Sequence, residues 1–199
     1  MKKVTKHKYG VQIYVHHKKY PCIEHMFYYI INSNLISFIG GEMMNDTECY
    51  VKNLFDSLFI TSPHQLTIHN ITEKLKIKTF YWDYTTAIAE WKGMYGLFVN
   101  QQLTKQQQWQ VFGHEMKHYC FDCGGQRFLA DIFKEYQEVK ADNFAYHFCI
   151  PTFMLKRLKE VTANDVTRIF NVEFDFALRR LDMYKSDLIT VAESCISYD

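Results

Sequence analysis

Long apolar runs are missing from this 199-residue chain. The best stretch, residues 26–40, is interrupted by Asn32, Ser33 and Asn34, so a simple membrane-spanning helix is excluded. Proline is scarce: there are only three, and with 23% charged residues this composition belongs to a folded chain and not to a disordered one. Neither charge is in excess, and a net +1 argues against a nucleic acid or anionic membrane held mainly by charge. A secretory leader is also lacking ahead of the six cysteines (Cys22, Cys49, Cys120, Cys123, Cys149 and Cys195), so a reduced, cytoplasmic setting is expected. The length allows one domain with a substantial core.

What the chain does have is concentrated between residues 109 and 146. Residues 109–118 read as one helix carrying Val111-Phe112-Gly113-His114-Glu115-Met116-Lys117-His118. His114 and His118 lie four residues apart and share a helical face, and Glu115 points to nearly the same side. Two imidazoles so placed can grip one Zn²⁺ while the carboxylate reaches a water at the metal. A catalytic zinc wants a third protein ligand. The helical stretch 129–150 offers Glu138 and Asp142, again at i and i+4. Glu138 can complete the ligand set, and Asp142 can hold a ligand histidine by its second ring nitrogen. Alone, that pair is also an ordinary acidic helix face; the HExxH upstream favours the zinc site. Tyr146 shares the face of Glu138 and Asp142, where it can donate to a developing oxyanion or be a buried structural tyrosine. His147 is rotated away from it.

The surrounding pattern predicts the elements that carry these residues. Asn45-Asp46-Thr47 is an N-cap for a helix with Val51, Leu54, Phe55 and Leu58 at helical spacing, and Ser62-Pro63 breaks the chain. A second helix follows with Leu66, Ile68, Ile71, Leu75 and Ile77 apolar. Residues 79–82, 86–91 and 95–100 read as three short strands, with Lys92-Gly93 the turn between the last two. Thr104 should cap the active helix, with Trp109, Phe112 and Met116 burying one face. After it, Cys120-Phe121-Asp122-Cys123 is a single CxxC, read as two incidental thiols ahead of a Gly124-Gly125 turn. Residues 162–170 and 174–183 are two helices joined by Asn171-Val172-Glu173. A DNA-reading role would need a basic face, yet Arg179 and Arg180 stand beside Glu173, Asp175 and Asp182. A structural or partner-docking role is favoured, and DNA binding is not expected.

Taken together, Gly96-Leu97-Phe98-Val99-Asn100, the HExxH helix, Glu138-Val139-Lys140-Ala141-Asp142-Asn143-Phe144-Ala145 and Pro151 resemble the ImmA/IrrE family of zinc metallopeptidases. The likeness runs from about Asp46 to Tyr184. It departs from the family at Met116-Lys117 inside HExxH and at Phe148-Cys149-Ile150 before the proline, none of them a ligand position. The resemblance implies an α+β, zincin-like fold: a small antiparallel sheet on a mostly helical body, followed by a C-terminal helical pair. The third strand would then offer an edge for an extended substrate, or merely a structural edge. It also implies a site-specific endopeptidase whose substrate is a helix-turn-helix repressor of a prophage or mobile element, with His114, His118 and Glu138 holding zinc and Glu115 as general base. The competing reading is a non-proteolytic, zinc-containing regulator that binds a repressor or DNA.

Three segments follow from this: residues 1–42 as an N-terminal extension, 43–158 as the metallopeptidase domain, and 159–199 as the C-terminal helical segment and tail. The extension is basic and aromatic at first, then apolar, as an anchor or a surface helix could be. Gly40-Gly41-Glu42-Met43-Met44 can also be encoded by a ribosome-binding sequence followed by start codons, which makes Met43 or Met44 an expected native start and the preceding residues a translated leader.

Overall fold

A computed structural model of the chain describes residues 46–121 and 131–196. The N-terminal extension, Met43, Met44, Cys123 and Gly124-Gly125 lie outside the described residues. In chain order the elements are α1 (Asp46–Ser57), a single 3₁₀ turn (Pro63–Gln65), α2 (Ile68–Lys74), β1 (Lys78–Trp82), β2 (Ala87–Trp91), β3 (Met94–Asn100), α3 (Lys105–Phe121), α4 (Asp131–Cys149), α5 (Thr152–Leu155), α6 (Ala163–Phe170) and α7 (Phe174–Ile196). This is the expected α+β class, a three-stranded sheet on a mostly helical body with helices at the C-terminal end.

Local chemistry sets most of these boundaries. Thr67 caps α2 by accepting the Asn70 N–H at 3.1 Å. Thr104 caps α3: its hydroxyl accepts the Gln107 N–H at 3.2 Å, and Thr104 N–H donates to Gln107 Oε1 at 3.1 Å. Thr162 and Asp165 form the same reciprocal box ahead of α6, which ends on Asn171 in the left-handed region at φ 53°. Among the described residues no helix is long and apolar enough to cross a membrane.

The sheet departs from the expected layout. Its order is β1-β3-β2, with β2 antiparallel to β3 but β1 parallel to it. The Lys92-Gly93 turn behaves as read: both residues have positive φ, 52° and 77°, as a tight hairpin requires. What the sequence does not announce is that residues 83–86 cross over the C-terminal end of β3. There Gln101 N–H donates to Trp82 O at 2.9 Å and Asn100 N–H to Thr86 Oγ1 at 3.0 Å. Strand β3 is therefore central, its Leu97 and Val99 fully buried, and it has no free edge. The expected substrate edge on the third strand is corrected: the edges are β1 and β2.

The core is aromatic. Phe148 of α4, fully buried, packs against Phe55 of α1 at 5.0 Å and against Trp109 and Phe112 of α3 at 5.6 and 5.8 Å between ring centroids. Each such ring contributes roughly 1.5–3 kcal/mol of burial, so α3 and α4 are held by their apolar faces and their polar faces are left for the cleft. Trp109, Phe112 and Met116 occupy the buried face predicted for them.

Candidate metal centre

Helices α3 and α4 cross closely because Gly113, one residue before His114, has no side chain. A Cβ there would stand 2.7 Å from Cys149 Sγ and 3.4 Å from Ala145 Cα. The close approach brings Glu138 and Asp142 of α4 to His114 of α3. His114 Nε2 lies 3.1 Å from Glu138 Oε2, His118 Nε2 lies 3.2 Å from His114 Nε2, and His118 Nε2 lies 3.6 Å from Glu138 Oε1. Among the described residues, these three form the one His/Cys/Asp/Glu group whose ligand atoms all fall within 4.8 Å of one another.

The donor set fits a zinc ion. With Zn–N distances near 2.0–2.1 Å, tetrahedral geometry places neighbouring donors about 3.3 Å apart, and the observed spacings bracket that value. Two imidazoles and one carboxylate leave a fourth position open. His114 Nδ1 donates to Asp142 Oδ1 at 2.8 Å, which fixes the tautomer and turns the Nε2 lone pair toward His118 and Glu138. Glu138 and Asp142 are exposed and the two histidines only partly covered, so the cluster opens to solvent.

Glu115 sits beside this cluster under different conditions. Burial raises its carboxyl above the usual carboxylate range, while a hydrogen bond from Ile88 N–H and the two histidines oppose the rise. That bond, 3.1 Å to Oε2, comes from β2. An edge of the sheet therefore runs beside α3, and the strand that lines the cleft is β2. No side-chain signal in the sequence could have pointed to Ile88, because its contribution is a backbone N–H.

At the other end of α3 the C-terminal helices are tied in. Gln107 and Gln110 donate to the two Glu173 carboxylate oxygens at 2.9 and 3.1 Å, and Glu173 N–H donates back to Gln110 at 2.7 Å. Gln110 lies one turn before His114, so the α6–α7 turn braces the helix that carries His114 directly. Tyr146, half-buried, packs its ring on Phe176 of α7, 4.4 Å between centroids. Cys120 is a free thiol, and burial pushes it up to about 12, an inert value.

Sequence reasoning passed over a second polar cluster on another side of α4. Arg180 of α7 is fully buried and donates to Glu48 of α1 at 3.3 Å and to Thr152 of α5 at 2.5 Å. Thr152 in turn donates to Glu48. The only hint in the sequence is a charged pair, Arg179-Arg180, that helical periodicity splits between outside and inside.

Comparison with known proteins places these residues in a lineage. Residues 68–182 match the family model of the peptidase M78, IrrE N-terminal-like domain. The chain is 35% identical over 150 residues to the phage-like element PBSX protein XkdA of Bacillus subtilis (strain 168), covering 73% of this chain and 76% of that protein. It is 28% identical over 142 residues to the uncharacterized protein YqaB of the same organism, covering 69% of this chain and 83% of that one. Among solved structures it is similar to a Mycobacterium tuberculosis transcriptional regulator at 16% identity and a TM-score of 0.49; the match covers 81% of this chain and 52% of that one. The family match spans more than half of the chain and includes His114, Glu115, His118, Glu138, Asp142 and Tyr146, and on that ground the chain belongs to the peptidase M78 family with an IrrE N-terminal-like domain.

Proposed function

We propose that this protein is a zinc-dependent endopeptidase that cuts a helix-turn-helix repressor of a prophage or mobile element at one defined site and so relieves repression. One observation carries the reading: His114, His118 and Glu138 converge on a single point beside Glu115 and the open edge of β2. Membership of a peptidase family supports the reaction class. The name of the relative XkdA, a protein of a phage-like element, supports the setting. In this reading His114, His118 and Glu138 hold the ion. Zinc bound there supplies Lewis acidity for the scissile carbonyl and lets water ionise near neutral pH.

The remaining steps belong to the chain. Glu115, with its carboxyl raised by burial, takes a proton from the attacking water and passes it to the leaving amine. Asp142 holds the His114 ring in its ligating tautomer. An extended substrate segment pairs along β2 and runs past Glu115, because Ile88 of that strand already reaches the carboxylate. The C-terminal helices serve structure: Arg180 is buried against Glu48 and is not free to read DNA.

The test is co-expression with the helix-turn-helix repressor encoded beside this gene, reading intact masses with the wild-type chain and with Glu115→Gln. A defined repressor fragment that forms only with the wild type supports the protease. Intact repressor in both samples, still captured by the chain, would instead support the non-proteolytic regulator.

A further inference from the structure

The sheet has two faces. Tyr95, Leu97, Val99 and Ile88 lie toward the helices, Tyr95 packing on Tyr119 of α3. The register puts Phe80, Trp82, Phe98, Trp91 and Met94 on the other face, with Lys78 beside them. Phe80 stacks on Phe98 at 5.2 Å, Trp82 contacts Phe98 at 5.1 Å, and Tyr84 extends the run from Trp82 at 5.4 Å. Phe80 is 47% exposed, Tyr84 72%, Trp91 67% and Met94 52%. Between the rings the floor is low: Ala87, Ala89 and Gly96 lie there, and a Cβ on Gly96 would stand 3.3 Å from the Phe98 ring. An exposed aromatic surface of this continuity marks an interaction site.

Two observations say what covers it. The first is charge. The register places no Asp or Glu on this face, Lys78 lies on it, and Lys92 sits at the hairpin tip with its ammonium 4.5 Å over Trp91. Glu90 belongs to the helix-side face, and Asp83 is held by the Gln101 and Gln102 amides. An apolar surface with an acidic rim complements this pattern. A nucleic-acid strand does not, since two lysines form no track along a phosphate backbone. The second is continuity. Strand β2 presents Ile88 N–H to Glu115 in the cleft, while its neighbours Ala87 and Ala89 lie on the aromatic face.

We infer that the outer face of the sheet docks the folded part of the protein substrate, an apolar surface with acidic residues at its rim, while an extended segment of the same substrate runs along β2. This inference rests on the protease reading given above. It accounts for how the domain selects one target: recognition is on the sheet, and the cleft sees only what docking delivers.

The experiment compares two substrates and one binding measurement. The double variant Phe80→Ser/Trp91→Ser, whose replaced rings are exposed, is tested on the intact repressor and on a short peptide spanning the bond located by mass. The expected result is a loss of at least about tenfold in kcat/KM on the intact repressor, with the peptide unaffected. Equal losses on both substrates, or no loss on either, overturn the inference. Lys92→Glu, at the hairpin tip beside Trp91, should weaken the intact repressor alone. Capture of intact repressor by Glu115→Gln, and its loss on adding Phe80→Ser/Trp91→Ser, is the second readout. If the wild type cuts nothing but this capture behaves as stated, the protease reading fails and the docking face stands. A self-association abolished by the same substitutions, or tight binding of a single-stranded oligonucleotide to the wild type, overturns the inference.

Discussion

Helix α4 carries two polar clusters, and their difference separates binding chemistry from structure. The open cluster joins Glu138 and Asp142 to His114 and His118, with electron-pair donors converging from two helices. The buried cluster sets His147 of α4 near Glu48, Thr152 and Arg180, with His147 Nδ1 3.7 Å from Glu48 Oε1. Both contain a histidine and a carboxylate, yet only the second brings its own cation. Arg180 satisfies Glu48, so His147 gains little from that carboxylate. Burial, aided by the Arg180 charge, pushes His147 down to about 3. The ring sits neutral in the core. A set that includes its own cation holds helices together; a set of converging donors without one is shaped to receive a cation.

The largest effect separates chemistry from metal within the open cluster. Glu115→Gln should lower turnover by about 10²–10⁴-fold, the usual contribution of a positioned base, while metal content stays at the wild-type level. Glu138→Ala should lose the metal and turnover together yet leave the fold intact, because Glu138 is exposed. Elemental analysis beside a cleavage assay reads both. An active Glu115→Gln would refute the base, and unchanged zinc in Glu138→Ala would remove that residue from the ligand set.

The same operation on the buried cluster should have the opposite consequence. Glu48→Ala leaves Arg180 charged and buried without its carboxylate, a change that costs about 3–5 kcal/mol. That is a large share of a small domain's stability. The double replacement Glu48→Leu/Arg180→Met should recover most of the loss, since a well-packed apolar pair substitutes for a buried ion pair. Denaturant unfolding of the three variants decides it. A double variant no more stable than Glu48→Ala would show that the network has a role other than packing the helices.

How much of this was legible depended on whether a residue's partner lies nearby in sequence. The HExxH histidines declare themselves because i and i+4 on one helix need no tertiary knowledge, and Thr104 declares a helix start for the same reason. Glu138 and Asp142 came within reach because their own spacing repeats that of the histidines. Strand order did not. The Lys92-Gly93 turn fixes one neighbour of β3, but its other neighbour depends on residues 83–86 passing over the strand end, a path held by bonds from Gln101 and Asn100. Arg180 was equally opaque. Its burial depends on Glu48, far away in the chain, and on a pattern where Arg179 and Arg180 look alike.

The neutral histidine gives the buried cluster a pH signature. Unfolded, His147 titrates near 6.5; folded, near 3. Between those values the unfolded chain binds the extra proton, so stability is intact above the upper value and is lost as pH falls through the window. The slope is at most about 1.4 kcal/mol per pH unit from this one group. Asp187, whose carboxyl is raised by burial, works in the opposite sense at the acid end. The useful quantity is therefore the wild-type curve minus that of His147→Asn. A difference that does not change across the window would mean that His147 is not buried in its neutral form.

The smallest effect probes the hydrogen bond that orients His114 in the open cluster. Asp142→Asn preserves shape and removes the charge that holds His114 Nδ1–H. An amide still accepts that hydrogen bond, but it orients the ring less firmly and leaves the imidazole a weaker donor. Zinc affinity should fall by about 10–100-fold, and the loss should be recovered by adding zinc in excess, unlike that of Glu115→Gln. Competition with a chromophoric chelator measures the affinity directly. Asp142→Leu, which cannot accept the bond at all, should lie further along the same line. If Asn and Leu bind zinc equally well, and as tightly as the wild type, the bond from Asp142 does nothing for the metal. The exposed carboxylate is then only part of an acidic helix face, which is what its spacing alone would also have allowed.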